Sequence, residues 1–329
     1  MARPSTKRTL SYTCGPGNGV RQNSDWWLPA VIKVCNKDVR VEGRLLRIAR
    51  LDGEQYTFPE DPEAVLKALQ NCGMRIDLFT FMQRLSEGSP KHAYKMEWDN
   101  LAVLPVSSFE AWWTKQVDNK TRNMARKAEK KGVATREIAF ADTLVRGICE
   151  INNESVIRQG KRFPHYGMSL ERVHEYAGTF LDRSIYIGAF LGDTMIGFAK
   201  LVVDETGAQA CLVHILSMIQ HKDKAPTNAL IVQAVRSCAD RGIPYLVYDH
   251  FSYGKKQEDS LSDFKARNGF QRIDVPRYYI PLTSFGWAAY RLGLHHRRLI
   301  DYFPDSVTAK LREFRKAWYG RKLQPQAEA

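Results

Sequence analysis

The segment Ser184–Ile219, SIYIGAFLGDTMIGFAKLVVDETGAQACLVHILSMI, decides the fold. Apolar and β-branched residues fill three runs, separated by the turn-forming stretches LGDT (Leu191–Thr194) and DETG (Asp204–Gly207). Connections this short join neighbouring antiparallel strands, so the segment predicts a three-strand meander.

The text on either side extends this reading. After the meander, a polar loop, QHKDKAPT (Gln220–Thr227), leads into NALIVQAVRSCADRG (Asn228–Gly242). That run predicts a helix, with Pro226 before it, Thr227 as N-cap and Gly242 past its end. IPYLVYDHF (Ile243–Phe251) reads as a buried strand, SLSDFKARNG (Ser260–Gly269) as a short helix and FQRIDVPRYYIPL (Phe270–Leu282) as the last strand. Before the meander, helices are predicted over Ala141–Gln159 and Ser169–Leu181. Ser107–Val133 predicts one longer helix, capped by Ser107 or Ser108 and stopped by Gly132. Its residues Trp113, Val117, Met124 and Ala128 share an apolar face. Arg122, Arg126 and Lys130 line a polar stripe at i, i+4, i+8.

These elements divide the chain into an arm (1–25) expected to be disordered, a small α/β domain (26–105), a main α/β domain with its lead helix (106–283) and a basic amphipathic helical tail (284–329). The small domain combines strand-like runs with the helical stretch EDPEAVLKALQNCG (Glu60–Gly73), and it carries no chemical motif. A length of 329 residues fits about two domains. With 44% hydrophobic and 26% charged residues, the chain can build an ordinary core. None of the six cysteines forms a CxxC pair. Cys149, Cys211 and Cys238 lie in apolar patterns, as buried free thiols in a reducing cytoplasm do. No apolar run reaches the ~18 residues of a membrane span. The net charge of +13 favours polyanionic partners.

The order helix, helix, meander, polar loop, helix, strand, short helix, strand resembles the GCN5-related N-acetyltransferase (GNAT) fold. YIGAFLGDTMIGFAKLVV is similar to its central hairpin and FKARNGFQRI to its closing segment. A narrower resemblance, over about Asp99–Thr283, is to the FemAB-like branch, whose members pair two GNAT-like domains. There a basic segment like NKTRNMARKAEKKGV (Asn119–Val133) precedes the second domain, and KAPTNALIVQAV resembles the donor-loop helix. Residues 26–105 take the position of a reduced first domain. The resemblance implies acyl transfer to an amine, with acyl-CoA or aminoacyl-tRNA as donor. One departure matters: HKDKAPTN lacks the glycines of the usual CoA loop, and Pro226 removes a backbone donor. This departure favours the tRNA-using branch.

Such chemistry needs a base for the amine proton, donors for the oxyanion and an acid for the leaving group. The candidate supply is YDHFSYGKK, with Asp249 or His250 as base and Tyr253 as acid. Lys222 and Lys224, beside the helix start at Thr227 and Asn228, are candidate donor-phosphate ligands, with Lys265 and Arg267 adding charge. In the basic aromatic loop RQGKRFPHYG, residues Arg158, Arg162, His165 and Tyr166 are candidates for an anionic acceptor, as are Arg122 and Arg126. His214 reads as structural. His295 and His296 have no further ligands at zinc-like sequence spacing, so no metal is expected. Competing readings are a non-catalytic RNA-binding protein on the same scaffold and a peripheral protein whose tail meets an anionic membrane. Duplex DNA is not an expected partner.

Overall fold

The computed structural model describes residues 30–252 and 260–296. The arm, Tyr253 and most of the basic tail lie outside the described residues. In chain order the elements are β1 (Ala30–Val34), β2 (Lys37–Glu42), β3 (Ile48–Leu51), α1 (Pro62–Gln70), β4 (Leu78–Met82) and β5 (Lys95–Pro105). Next come α2 (Phe109–Ala111), α3 (Asn119–Lys130), β6 (Val133–Ile138), α4 (Asp142–Asn153), the two-residue strands β7 (Ile157–Arg158) and β8 (Lys161–Arg162), and α5 (Leu170–Ala177). The rest are β9 (Ser184–Leu191), β10 (Thr194–Val203), β11 (Gln209–Ser217), α6 (Pro226–Asp240), β12 (Tyr245–Val247), α7 (Ser260–Arg267), β13 (Gln271–Pro281) and α8 (Ser284–Arg291).

Two compact units emerge, with boundaries at Asp99/Asn100 and Asp274/Val275. The strand and helix after Val275 therefore group with the N-terminal unit, whereas the sequence reading placed the strand in the main domain and the helix in the tail. In the larger unit the strand order is β5-β12-β11-β10-β9-β6. The predicted meander is there: β9 pairs antiparallel with β10 and β10 with β11. Leu191 faces Thr194 across the two-residue turn Gly192–Asp193, and Gly192 has the positive φ (60°) that such a hairpin turn needs. Helix α6 crosses to β12, which lies parallel to β11. It packs against β6, β9, β10 and β11. Leu230, Ile231, Ala234, Val235 and Cys238 place its apolar stripe in the core.

The smaller unit repeats this order in shortened form. β1, β2 and β3 form an antiparallel run, α1 crosses over, and β4 lies parallel to β3. Residues Arg277–Pro281 of β13 close it against β4. The larger unit is closed by Val103–Pro105 of β5 against β12. Each unit is thus finished by a strand that follows the other unit's crossover strand in sequence. Inside the smaller unit the Arg277 guanidinium, 5% exposed, meets Glu54 at 2.8 Å and Asp99 at 2.7 Å. Burial alone raises the Glu54 carboxyl, but the Arg277 charge and hydrogen bonds outweigh it and hold it low.

The lead helix is not continuous. Ser108 caps its start by accepting the Ala111 N–H at 3.0 Å. The turn Trp112–Gln116 then widens to π geometry, and Val117 goes extended (φ −78°, ψ 138°). Asp118 starts a second helix by accepting the Thr121 N–H at 2.6 Å. A short acid that bonds the backbone ahead of it competes with helix continuation, and here it wins. Trp112 is fully buried, with its indole N–H on the Asn268 carbonyl at 2.9 Å. Val117 and Ala128 are buried as expected, and Trp113 and Met124 pack at the core margin.

Candidate active site

The site begins where two parallel strands part. β11 and β12 are in register only from Gln209 to Cys211 against Tyr245 to Val247. β12 then continues beside β5: the Tyr248 N–H reaches the Ala102 carbonyl, and the Ala102 N–H reaches the Asp249 carbonyl, each at 2.8 Å. β11 instead stays with β10 as far as Ser217. Just past the parting, Leu201 pairs with Leu212 and Lys200 with His214, so Val213 is an extra residue on β11. A bulge of this kind bends a strand away from its neighbour.

His214 heads an aromatic cluster on the β11 side. Its ring lies 5.4 Å from Tyr176 and 6.1 Å from His165. The Tyr176 hydroxyl accepts the Asn152 amide at 2.9 Å. Burial, then the His165 and Lys200 charges, push the His214 imidazole down to about 4. Burial likewise lowers His165, whose Nδ1 is buried without a hydrogen-bond partner. Both rings are therefore neutral near pH 7. Lys200, the cross-strand partner of His214, is buried and donates to the Ala177 carbonyl at 2.9 Å and the Thr179 carbonyl at 2.5 Å. Burial pushes its ammonium down to about 8.

On the β12 side, His250 Nδ1 lies 2.7 Å from Asp249 Oδ1. With Nδ1–H donated to the carboxylate, Nε2 carries the lone pair, which is the base-plus-orienter arrangement. Asp249 has φ 52°, a left-handed conformation that is uncommon outside glycine. Strain of this sort collects at functional sites. Lys265, wholly buried, fixes the backbone by donating to the His250 carbonyl at 2.5 Å. Its ammonium also sits over the Tyr248 ring at 4.6 Å.

The loop before α6 forms a 3₁₀ turn, Ile219–Lys224. Glu154 anchors it by accepting the N–H groups of Ile219 at 2.7 Å and Gln220 at 2.8 Å. Arg158 completes the clamp, bonding Glu154, the Ile151 carbonyl and the Ser217 carbonyl. Ala225, not Thr227, is the N-cap of α6; it is left-handed (φ 53°) and caps with no side chain, and Pro226 takes the first helical turn. Thr227 lies inside the helix, its hydroxyl 2.9 Å from Ser217 Oγ. The Asn228 and Ala229 N–H groups turn back to the Ala225 carbonyl. Since proline has no N–H, the first turn offers outward at most the Thr227 amide. Side chains supply the charge. Burial raises the Asp223 carboxyl, but the Lys224 hydrogen bond and charge, then Lys131 and Lys127 of the α3 end, together outweigh it and hold it low. Lys222 is exposed on the same turn.

The remaining sequence candidates are placed as follows. Arg158 is committed to the clamp, and burial lowers its guanidinium. Arg122 bonds the Trp113 carbonyl at 2.8 Å and ties the two lead-helix pieces together. Arg126 lies 6.0 Å over the Trp113 ring. Arg162 and Tyr166 are exposed on their loop, and Arg267 is exposed with Asp263 at 3.8 Å. Sequence reasoning missed Glu154, Tyr176 and Lys200 and gave His214 only a structural role. The one available signal was a lysine inside an apolar strand pattern, which needs buried partners.

With this geometry in view, the fold is GNAT-like. The structure superposes on FemX with a TM-score of 0.53 at 9% identity, covering 78% of this chain and 86% of FemX. L-PGS from Bacillus licheniformis gives a TM-score of 0.55 at 11% identity, over 82% of this chain and 90% of that one. A C-terminal domain from Agrobacterium fabrum assigned as a lysylphosphatidylglycerol synthetase gives 0.53 at 12%, over 80% and 86%. No protein-family description and no curated protein matches the sequence. Likeness at these identities is likeness of fold.

Proposed function

We propose that this protein is an acyl- or aminoacyltransferase that moves an acyl group from a phosphorylated carrier to an amine. The observation that carries the reading is the parting of β11 and β12 beside the Asp249–His250 pair. In this reaction His250 Nε2 takes the proton of the attacking amine, and Asp249 holds the imidazole in the tautomer that can do so. The amine nitrogen bonds to the acyl carbon, and the carrier's thiol or ribose hydroxyl departs with a proton. Tyr253 is the proposed acid from sequence alone. The neutral His214 and His165 rings and Tyr176 line the acceptor side. The carrier's phosphates meet Lys222 and Lys224, with Lys127 and Lys131 adjoining and Arg267 contributing charge; Lys265, buried against the His250 carbonyl, holds the backbone instead of meeting the carrier.

Aminoacyl-tRNA is the favoured donor over acyl-CoA. The first turn of α6 presents at most one free amide, which suits lysine contacts along a nucleic-acid backbone better than a buried pyrophosphate cradle. The acceptor class is read from the exposed Arg162 beside Tyr166 on that loop: an amine that also carries an anionic group. A peripheral position at an anionic membrane is proposed from the basic tail; among the described residues no helix is long and apolar enough to cross a membrane. The test is turnover with a panel of acyl-CoA esters and aminoacyl-tRNAs. His250→Ala and Asp249→Asn are expected to lose at least about tenfold in kcat, since general base catalysis contributes ~100-fold or more. If both variants turn over like the parent, the base assignment fails.

A further inference from the structure

A second cluster of chemistry lies in the smaller unit and shares no residue with the candidate active site. Glu97, near the start of β5, meets His295 and His296 in the turn after α8, across 198 positions of sequence. His295 Nε2 lies 3.1 Å from Glu97 Oε1, and His296 Nε2 lies 2.5 Å from Oε2. One ligand atom from each of the three residues falls within 4.8 Å of the others. The two imidazole rings are 3.8 Å apart, centroid to centroid.

We propose that Glu97, His295 and His296 bind a divalent transition-metal ion of the zinc class. Two imidazoles this close cannot both carry a proton's charge comfortably, and His295 is in addition nearly sealed, with its side chain 2% exposed. Its ring is packed against Tyr279 at 4.6 Å and Tyr290 at 4.9 Å. The two rings direct two nitrogens at one carboxylate, the two-imidazole, one-carboxylate set that selects zinc, cobalt, nickel or copper over magnesium or calcium. Around a tetrahedral zinc ion with bonds of about 2.0–2.1 Å, ligand atoms stand about 3.3 Å apart. Glu97 meets the two rings through different oxygens, at 3.1 Å and 2.5 Å, and with one ligand atom of each residue already within 4.8 Å of the others, small side-chain rotations bring the set to that spacing. His296 is 52% exposed and Glu97 33%, so the ion has a route in from solvent and the fourth position is open to water. A bound ion would tie β5 to the end of α8, and by mass action it would stabilise the unit.

Untagged full-length protein, stripped with EDTA and dialysed, is titrated with zinc chloride and, as a spectroscopic probe, cobalt chloride. The expected result is one tight equivalent per chain, a rise in Tm with zinc and a visible absorption band with cobalt. Glu97→Gln and the His295→Gln/His296→Gln pair should each weaken binding at least about tenfold, the lower end of what even outer-shell changes cost a metal site. Should the double variant fold poorly, His296→Gln alone, at a half-exposed position, must show the same weakening. No tight equivalent in the parent, or unchanged affinity in His296→Gln, overturns the proposal.

Discussion

Glu154→Ala should loosen the 3₁₀ turn that precedes α6. The carboxylate holds two amides and a guanidinium at 2.7, 2.8 and 3.0 Å. The amides of Ile219 and Gln220 face solvent, so water recovers most of their loss, leaving about 0.5–1 kcal/mol each. The ion pair is different, since the Arg158 and Glu154 side chains are only 10% and 14% exposed. Removing one partner of a buried pair costs about 3–5 kcal/mol, although here Arg158 keeps two carbonyl partners and the cost falls well below that range. The sum is about 2–4 kcal/mol, with Glu154→Gln losing about half because its amide oxygen still accepts. Urea unfolding followed by fluorescence measures the total, and hydrogen exchange at Ile219 and Gln220 locates it. A loss under about 0.5 kcal/mol in Glu154→Ala, the range of inert surface changes, refutes the clamp.

Other outcomes follow from the same structure. Arg277→Met removes the buried cation that Glu54 and Asp99 share, Glu54 keeping Arg50 at 3.6 Å, and thermal or urea unfolding should show a loss of about 3 kcal/mol, the low end of the range for a broken buried pair. Because the folded Glu54 carboxyl is held below its ordinary value of 4.5, its contribution is complete above that pH and is lost as pH falls through the folded value. The Glu54→Gln protein should therefore show a flatter acid limb. For His214 the sign is set by a depressed imidazole: between its ordinary 6.5 and about 4 the unfolded chain binds the extra proton, so stability drops as pH falls through that window. His214→Gln should flatten that slope, and the His214 ring signals in NMR should titrate near 4 rather than near 6.5.

The meander, α6 and the closing helix and strand were legible because their signals are local: apolar periods of two or 3.6 and glycines at the stops. The break at Val117–Asp118 was not, because Trp113, Val117, Met124 and Ala128 keep a plausible helical face across it. β6 was missed for a similar reason, its six residues VATREI carrying little apolar pattern. Which strand closes which unit is a long-range choice that no window of sequence contains. The site shows the same division. Asp249 and His250 adjoin in sequence, so their pairing was legible, whereas the cluster of His214 with Tyr176 and His165 draws its members from separate elements. Arg158 looked like a ligand contact because its partners, Glu154 apart, are backbone carbonyls, which sequence does not reveal.

The central claim is that the turn before α6 receives a phosphorylated acyl donor. It is tested most directly by titrating the protein with aminoacyl-tRNA and acyl-CoA, in the parent and in Lys222→Glu/Lys224→Glu, at several salt concentrations. The account predicts aminoacyl-tRNA binding below millimolar, weakening with salt, and at least about tenfold weaker in the double variant, since two reversed charges oppose phosphate contacts. Binding of neither donor below millimolar, or tRNA binding that ignores the two substitutions, would contradict it.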